Sequence, residues 1–509
     1  FRYRLSDREK DALLTEQAGL IDRLVARVAE LEALLARPKK TSNNSHTPPS
    51  QDQKPGGGAG KSEAKARKPR PSRPGVTRRL SDEPDETVRR FAATCSHCAA
   101  DVSGARQRRR RCDEHIDIPP IRPHVTRIEL YGGRCAFCGK RYCAPPPDGM
   151  APGTPFGARI RALLLYWHHS HHVGFARLAQ MMAELFGLSI SEGAIANAFR
   201  DAETPMMVEC AAIKEKLTAA RVIASDETTT RINGVAHWHW VFVSTEAVLH
   251  RIAPSRAKAV AQDVLGDHRP GVWVSDRYAG QQGLAETHQV CLAHVLRDVQ
   301  YAIDCGDTVF APRLREVLRW AIGIGRRQET LKDSTLQHYH ACAERRMDAL
   351  VTLPAAHHAG RGLQTAVKAW RSKFFVFLQD REVPSTNNVS EREIRSSVIF
   401  RKVTGGFRSR WGACIHAGYR PITGTARLHG KTALEAIGNL LTAPPHNPPR
   451  PPEKTRVVSN YPATLPARSS PSAPHRSSVS ASSSSAPSTT TEPAWLQPSP
   501  WSQNPGPLQ

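Results

Sequence analysis

The sequence predicts a multidomain protein in which an α/β core is preceded by a coiled-coil helix, a zinc ribbon and a helical domain. Three observations predict this class: a proline-free stretch with apolar residues at heptad spacing, two Cys-x-x-Cys pairs, and short apolar runs followed by helical periodicity after residue 221. With 39 Pro and 34 Gly in 509 residues, part of the chain cannot belong to a packed core.

The charge of the chain indicates a polyanionic partner. Lys and Arg total 71 against 47 Asp and Glu, for a formal net charge of +24, which favours nucleic acid first and an anionic membrane second. The longest apolar run, residues 162–167, is far shorter than the roughly 18 to 20 residues of a membrane span, which argues against an integral membrane protein. Paired cysteines suit metal ligation in a reducing compartment, so we expect a cytoplasmic protein.

The first segment, residues 1–37, predicts a helix with a coiled-coil seam. Its apolar residues follow one another at alternating steps of three and four, which is the spacing of positions a and d. An amphipathic helix that packs on its own domain is the alternative. The seam residues are Ile21, Leu24, Val28, Leu31 and Leu35.

Two segments have the composition of disordered chain. Residues 38–90 predict a basic linker, because residues 39–79 hold eleven Lys or Arg against two acids among many Pro and Gly. Contact with DNA phosphates and a merely solubilising spacer are the two interpretations of this linker. Residues 443–509 contain 16 Pro and 14 Ser and predict a disordered tail.

Residues 91–148 predict a zinc ribbon that binds DNA. Two Cys-x-x-Cys pairs stand 36 residues apart, and two such pairs can supply four thiolates to one tetrahedral, structural Zn²⁺. Free thiols or a redox pair are the alternative. Between the pairs, five arginines in six positions indicate phosphate contact, with a solvated charge run as the alternative. The cysteines are Cys95, Cys98, Cys135 and Cys138, and the arginines are Arg106, Arg108, Arg109, Arg110 and Arg111.

Residues 155–205 predict a helical domain. Helices are expected over 158–170 and 175–186, followed by a break at Gly187 and a short helix over 190–200. Ser189 and Glu192 have the spacing of a capping box. This outline is that of a helix-turn-helix, whose second helix would enter the major groove of DNA, although any helical hairpin with a glycine turn gives the same pattern.

Residues 219–442 predict an α/β domain. Its strands are expected in four β-branched or aromatic runs, RVIASDET, HWHWVFVST, VLHRIA and GVWVSDRY. Helical periodicity follows over residues 284–303, 313–325 and 336–370, and again in SEREIRSSVIF and TALEAIGNLL.

Three carboxylates of this domain are candidate ligands of hard cations. Asp226 and Asp276 each follow an apolar run, so we expect both at or near the end of a buried strand. Glu391 lies at the start of a predicted helix, and two strand-end aspartates with a helical glutamate can hold two Mg²⁺ for attack on a phosphodiester. Glu393 is a minor alternative; it is predicted to point to another face of the helix, so that Glu393→Gln would be nearly silent.

The order and wording of these segments resemble the transposases of the insertion-sequence-66 family over about residues 10–442. The shared pieces are the zipper-like start, TSNNSHTPPSQDQ, the cysteine pairs with IDIPP between them, SDET, VSDRY, CLAHVLRD, and TNNVSEREIR followed by RKVTGGFRS. SDET, CLAHVLR and NNVSERE with a following RK are together specific. The chain has Ser390 where the family usually has Ala.

The resemblance implies a DDE transposase with an RNase H-like core, in which Asp226, Asp276 and Glu391 bind two Mg²⁺ or Mn²⁺ ions. Residues from about 300 to 383 would then be a helical insertion. The implied reaction is cleavage and strand transfer of double-stranded DNA, at element ends and target, by a homo-oligomer associated with the bacterial nucleoid. Accessory proteins of the same element are further possible partners. A nuclease on the same core, a non-catalytic DNA-binding regulator and an inactive relic are the alternatives.

The resemblance also implies auxiliary residues. His294, in the motif Cys291-Leu-Ala-His294, would lie near the active site together with Arg297; a core cysteine beside a surface histidine is the alternative. No second pair of zinc ligands follows this motif at ligand spacing. Arg401 and Lys402 would hold DNA phosphates beside the metals, unless they belong to a solvated basic loop.

Overall fold

The computed structural model describes residues 6–35, 38, 40–45, 78–147, 150 and 155–442. Most of the predicted basic linker and the whole Pro- and Ser-rich tail lie outside these residues. The described residues form two compact units, one of residues 78–127 and 181–189 and one of the rest, and each is described by itself. Among the described helices, none is both long and apolar enough to cross a membrane.

The first helix lies in the segment that the sequence predicts as helical. Helix α1 is Asp7–Leu35, and a small hairpin of β1 (Gly132–Arg134) and β2 (Arg141–Cys143) flanks the second cysteine pair. Helices α2 (Ala158–His171) and α3 (Phe175–Phe186) follow as predicted.

Helix α4, Glu192–Thr218, differs from the short helix that was predicted over 190–200. It is 27 residues long and continues through Pro205. Its N-cap is Ser191, whose hydroxyl accepts a hydrogen bond from the backbone N–H of Ala194 at 3.2 Å, and not Ser189. The predicted helix start was therefore wrong by two residues, because two serines compete for the cap position in the sequence.

A five-stranded mixed sheet lies at the centre of the larger unit. The strand order is β5-β4-β3-β6-β7; β3, β4 and β5 pair antiparallel, and β3, β6 and β7 pair parallel. Asn233 and Gly234, with φ of 50° and 79°, form the two-residue turn between β3 and β4. The strands are β3 Val222–Ile232, β4 Val235–Val243, β5 Val248–Ala253, β6 Val272–Ser275 and β7 Thr287–Val290.

Four of these strands match the predicted runs, but β7 was wrongly predicted as the start of a helix. It has only four residues, three of them buried, and a segment this short has no periodicity that separates a strand from a helix. The helices of the core are α5 Lys258–Leu265, α6 Leu292–Asp304, α7 Phe310–Gly325, α8 Asp333–Val351, α9 His358–Ala369, α10 Asn388–Thr404, α11 Arg410–Leu428 and α12 Ala433–Thr442.

Helices cover the sheet. Helices α6 to α9 share one continuous apolar cluster with strands β3, β6 and β7, so the predicted helical insertion packs on the sheet. Helices α10 and α11 contact β3, β4 and β5. Helix α11 was missed in the sequence: every residue from Ala413 to Ala426 is buried, and a helix buried all round has no polar face to reveal its period.

Candidate active site

Parallel pairing of β3 and β6 brings Asp226 and Asp276 to equivalent positions of neighbouring strands. Val222 pairs with Val272 and Ala224 with Val274, and the same register, continued by two residues, matches the two aspartates. Asp276 directly follows β6, as predicted, whereas β3 continues past Asp226 to Ile232 in its hairpin with β4. Asp226 therefore lies where the parallel part of β3 ends.

The backbone holds both aspartates in place. Asp226 Oδ1 accepts a hydrogen bond from the N–H of Glu227 at 2.9 Å, and Asp276 Oδ1 accepts one from the N–H of Tyr278 at 2.8 Å. Desolvation raises the pKa of Asp226 well above its ordinary value, and the negative charges of Glu227, Asp276 and Glu391 raise it further. Carboxylates that repel one another in this way favour a bound cation.

Asn387 fixes the start of the helix that carries Glu391. It is the N-cap of α10, and its side-chain amide donates to the carbonyl oxygen of Ser225 at 2.7 Å. Its backbone N–H donates to Cys291 Sγ at 3.1 Å, and its carbonyl accepts from the N–H of Glu391 at 3.1 Å. One residue thus connects the start of α10 to β3 and to α6.

Cys291 and His294 meet Glu391 at the start of α6. One potential ligand atom from each of the three residues lies within 4.8 Å of the other two. His294 Nε2 lies 3.5 Å from Glu391 Oε1, and burial raises the pKa of the Cys291 thiol to about 11. Among the described residues this is the one group of three such ligands that is so close together; Asp226, Asp276 and Glu391 do not form a group this tight.

The predicted basic residues differ in their surroundings. Arg297 is half-buried one helical turn after His294. Arg401 bonds to strand β3: its Nη1 donates to Thr229 Oγ1 at 2.6 Å and to the carbonyl oxygen of the same residue. Lys402 is exposed on α10. The Arg401 guanidinium is thus already hydrogen-bonded to β3.

Glu227 is a site residue that the sequence reasoning missed. Its side chain is only 1% exposed; Arg256 Nε donates to its Oε1 at 2.7 Å, and the amide of Gln281 donates to its Oε2. The guanidinium of Arg256 lies 3.6 Å from the ring centre of Tyr278. Because successive strand residues face opposite sides, the two acids of SDET separate into Asp226 in the cluster and Glu227 in a buried ion pair.

Glu393 has a structural role that the sequence did not predict. It does face away from Glu391, but its carboxylate is buried between Arg427, at 2.6 Å, and Arg420, at 3.7 Å. The Arg420 side chain is 2% exposed. Two residues along a helix do point apart, as predicted, yet the second face is covered by α11 and not by water.

The two cysteine pairs form matching turns. The N–H groups of Ala99 and Gly139 both donate to the carbonyl of the first cysteine of their pair at 2.9 Å, and both residues have positive φ. Hydrogen bonds from backbone N–H groups, chiefly that of His97 for Cys95 and that of Cys138 for Cys135, lower the pKa of each first cysteine. Each pair thus lies on one tight turn whose backbone N–H groups face the sulfur of its first cysteine.

The arginine run Arg106–Arg111 is exposed, while Gln107 within it turns inward. The Gln107 side chain bonds to the backbone N–H and carbonyl of Ala92 at 2.9 and 2.8 Å. Arg111 pairs with Asp113 at 2.6 Å, with both side chains largely in solvent. Four of the five arginines thus have no ion pair with an acid in the described part of the chain.

Comparison with known proteins places the site in a family. No curated protein matches the chain at a significant level. A family model, that of the IS66 family of transposases, matches residues 153–415, a span that contains the three carboxylates and the Cys291 motif but neither cysteine pair. Since the match covers more than half of the 509 residues, the chain belongs to the IS66 transposase family.

Proposed function

We propose that this transposase cleaves DNA at the ends of an insertion sequence and transfers the strands to a target by a DDE mechanism. Asp226, Asp276 and Glu391 are the proposed catalytic residues. The observation that carries the proposal is the parallel register of β3 and β6, which aligns Asp226 with Asp276. The pKa of Asp226 is raised, first by desolvation and then by negative charges that include those of Asp276 and Glu391. The combination of parallel and antiparallel strands in this sheet supports the RNase H-like assignment.

The residues present fit hard divalent cations. All three side chains offer oxygen, the donor that Mg²⁺ and Mn²⁺ prefer, and the buried Oε1 of Glu391 has no hydrogen-bond partner among the described residues. Ligands of two ions that lie about 4 Å apart need not all touch one another. When bound, Mg²⁺ would supply an activated water or 3′-hydroxyl and a counter-charge on the scissile phosphate.

The protein supplies position and charge around these ions. Asn387 fixes the start of α10, so that Glu391 and β3 keep a constant separation. The ion pair between Glu227 and Arg256 stabilises strand β3 next to Asp226. Arg401 and Lys402 are proposed to contact DNA phosphates, whose positions fix the register of the strand on the enzyme. His294 and Arg297 are proposed as auxiliary residues of the active site.

DNA binding outside the site is proposed for the basic N-terminal region. Cys95, Cys98, Cys135 and Cys138 would share one structural Zn²⁺, and the run Arg106–Arg111 would contact phosphates. The matching turns of the two pairs and the exposure of the arginines support this assignment. The helix-turn-helix role of α3 and α4 stays a prediction.

Helix α1 is proposed to pair chains, since joining two DNA ends needs at least two active sites. In the described part of the seam, Ile21, Leu24 and Val28 are 58%, 56% and 52% exposed. An apolar stripe this open on a 29-residue helix favours a coiled coil with a second copy over packing on the helix's own domain.

Amide substitution of each acid tests the catalytic assignment. Asp226→Asn, Asp276→Asn and Glu391→Gln keep size but remove one negative charge, so cleavage of family-type DNA ends in Mg²⁺ should fall below detection while DNA affinity persists. Asp267→Asn is the matched control, because Asp267 is exposed and outside the cluster. If all three variants cut like the parent, the catalytic assignment fails; a parent that binds but never cuts indicates a DNA-binding regulator.

A further inference from the structure

Three side chains at the start of α6 and α10 approach the geometry of a tetrahedral metal site. Cys291 Sγ, a ring nitrogen of His294 and a carboxylate oxygen of Glu391 lie within 4.8 Å of one another. In a tetrahedral Zn²⁺ site with bonds of about 2.0 to 2.2 Å to nitrogen and oxygen, two such ligands stand about 3.4 Å apart. The distance from His294 Nε2 to Glu391 Oε1 is 3.5 Å, so these two side chains already have the spacing of zinc ligands.

The ligand set differs in chemistry from the cluster of aspartates beside it. One sulfur, one nitrogen and one oxygen form a set that selects a thiophilic ion such as Zn²⁺, whereas Mg²⁺ prefers oxygen alone. Three protein ligands also leave the fourth position open to water. The sequence offers no second Cys or His pair at ligand spacing; the third ligand comes from Glu391, 97 residues after His294.

The surroundings of the three ligands are already ordered. Cys291 is fully buried, and its Sγ accepts a hydrogen bond from the N–H of Asn387, the kind of outer contact that orients a metal ligand. Glu391 Oε1 is buried without a hydrogen-bond partner in the part of the chain that the structure describes. A buried carboxylate oxygen in that state is costly unless a cation or water satisfies it.

We infer that Cys291, His294 and Glu391 form a zinc site that shares Glu391 with the proposed magnesium site. Binding of Zn²⁺ would engage the glutamate and withdraw it from Asp226 and Asp276. Zinc would therefore inhibit Mg²⁺-dependent cleavage. The binding site stands on its own geometry, while this inhibitory consequence rests on the proposed catalytic function.

Metal content of the full chain tests the site without any activity measurement. Zinc-loaded parent, after removal of loosely bound metal, should hold one more Zn²⁺ per chain than Cys291→Ser. The Co²⁺-substituted parent should show thiolate-to-cobalt absorption that this variant lacks. Cys305→Ser is the matched control, because Cys305 caps the other end of the same helix. Equal zinc content and superimposable cobalt spectra for the parent and Cys291→Ser would overturn the site.

A second variant covers the case in which serine at the buried position 291 impairs folding. Glu391→Gln keeps the size of a side chain that is 25% exposed, and it should weaken zinc binding at this site by at least the roughly 10- to 100-fold that outer-shell changes cause. Unchanged zinc affinity in Glu391→Gln would exclude the glutamate as a ligand and overturn the inference.

The inhibitory consequence is read as the ratio of cleavage rates with and without one added equivalent of Zn²⁺ in excess Mg²⁺. We expect this ratio to fall at least about tenfold in the parent and to stay near one in Cys291→Ser. A parent that binds the extra zinc but keeps its rate would refute the shared glutamate. A parent that never cleaves refutes the proposed function, and the zinc site is then decided by metal content.

Discussion

Removing the charge of Glu393 should strongly destabilise the core, although this residue takes no part in the proposed chemistry. Glu393→Gln leaves the Arg420 guanidinium, 2% exposed and 3.7 Å from the carboxylate, as an uncompensated buried charge. Loss of one partner of a buried ion pair costs about 3 to 5 kcal/mol. The ratio of folded to unfolded protein should therefore fall by about two to four orders of magnitude.

Urea unfolding followed by circular dichroism measures this loss against two controls. Arg427→Gln removes the other partner of Glu393; because Arg427 is 53% exposed, it should cost only about 0 to 1 kcal/mol. Adding Arg420→Met to Glu393→Gln removes both buried charges and should recover most of the loss. If Glu393→Gln costs less than about 1 kcal/mol, no more than an exposed pair, the reasoning from burial is wrong.

Four further predictions concern the rest of the chain. Among the described residues, burial lowers the pKa of four histidines that are at most 3% exposed, to about 3 for His239; they are His169, His239, His250 and His416. Below pH 6.5 these histidines become protonated only in the unfolded chain, so the free energy of unfolding should fall by up to about 1.4 kcal/mol per pH unit for each histidine. The raised pKa of Asp226 has the opposite effect and reduces this fall. A urea midpoint that does not change between pH 7 and 5 would contradict the prediction. Replacing the five arginines of Arg106–Arg111 by Ala should reduce the slope of log affinity for DNA against log salt concentration by about 0.9 for each phosphate that the protein no longer neutralises. An unchanged slope would show that these arginines are solvated and do not contact DNA. Cys135→Ser should lower the zinc content by one ion per chain in metal analysis, because it removes one ligand of the two cysteine pairs. An unchanged zinc content would indicate that these cysteines are free thiols. Deleting residues 1–37 should lower the particle mass in light scattering; an equal mass assigns assembly to another surface.

Local pattern in the sequence was sufficient where one element carries the signal. The strands β3 to β6 were predicted because β-branched and aromatic residues cluster in short runs between turns, and the Asn233-Gly234 turn is specific to a tight hairpin. Asp226 and Asp276 were selected because each follows such a run. Strand β7 and helix α11 were missed, since a short or completely buried element shows no alternation between apolar and polar residues.

The composition of the candidate site was decided by tertiary structure alone. Asn387 reaches Cys291 and Ser225 across 96 and 162 residues of chain, and no local period encodes contacts of that range. The same folding gave Glu391 a sulfur and an imidazole as neighbours, and gave Glu393, two residues on, a buried arginine. Residue type and spacing determined which side chains were available for chemistry, because each of these features can be read within a single helix or strand. Which of them meet depended on how the helices close over the sheet.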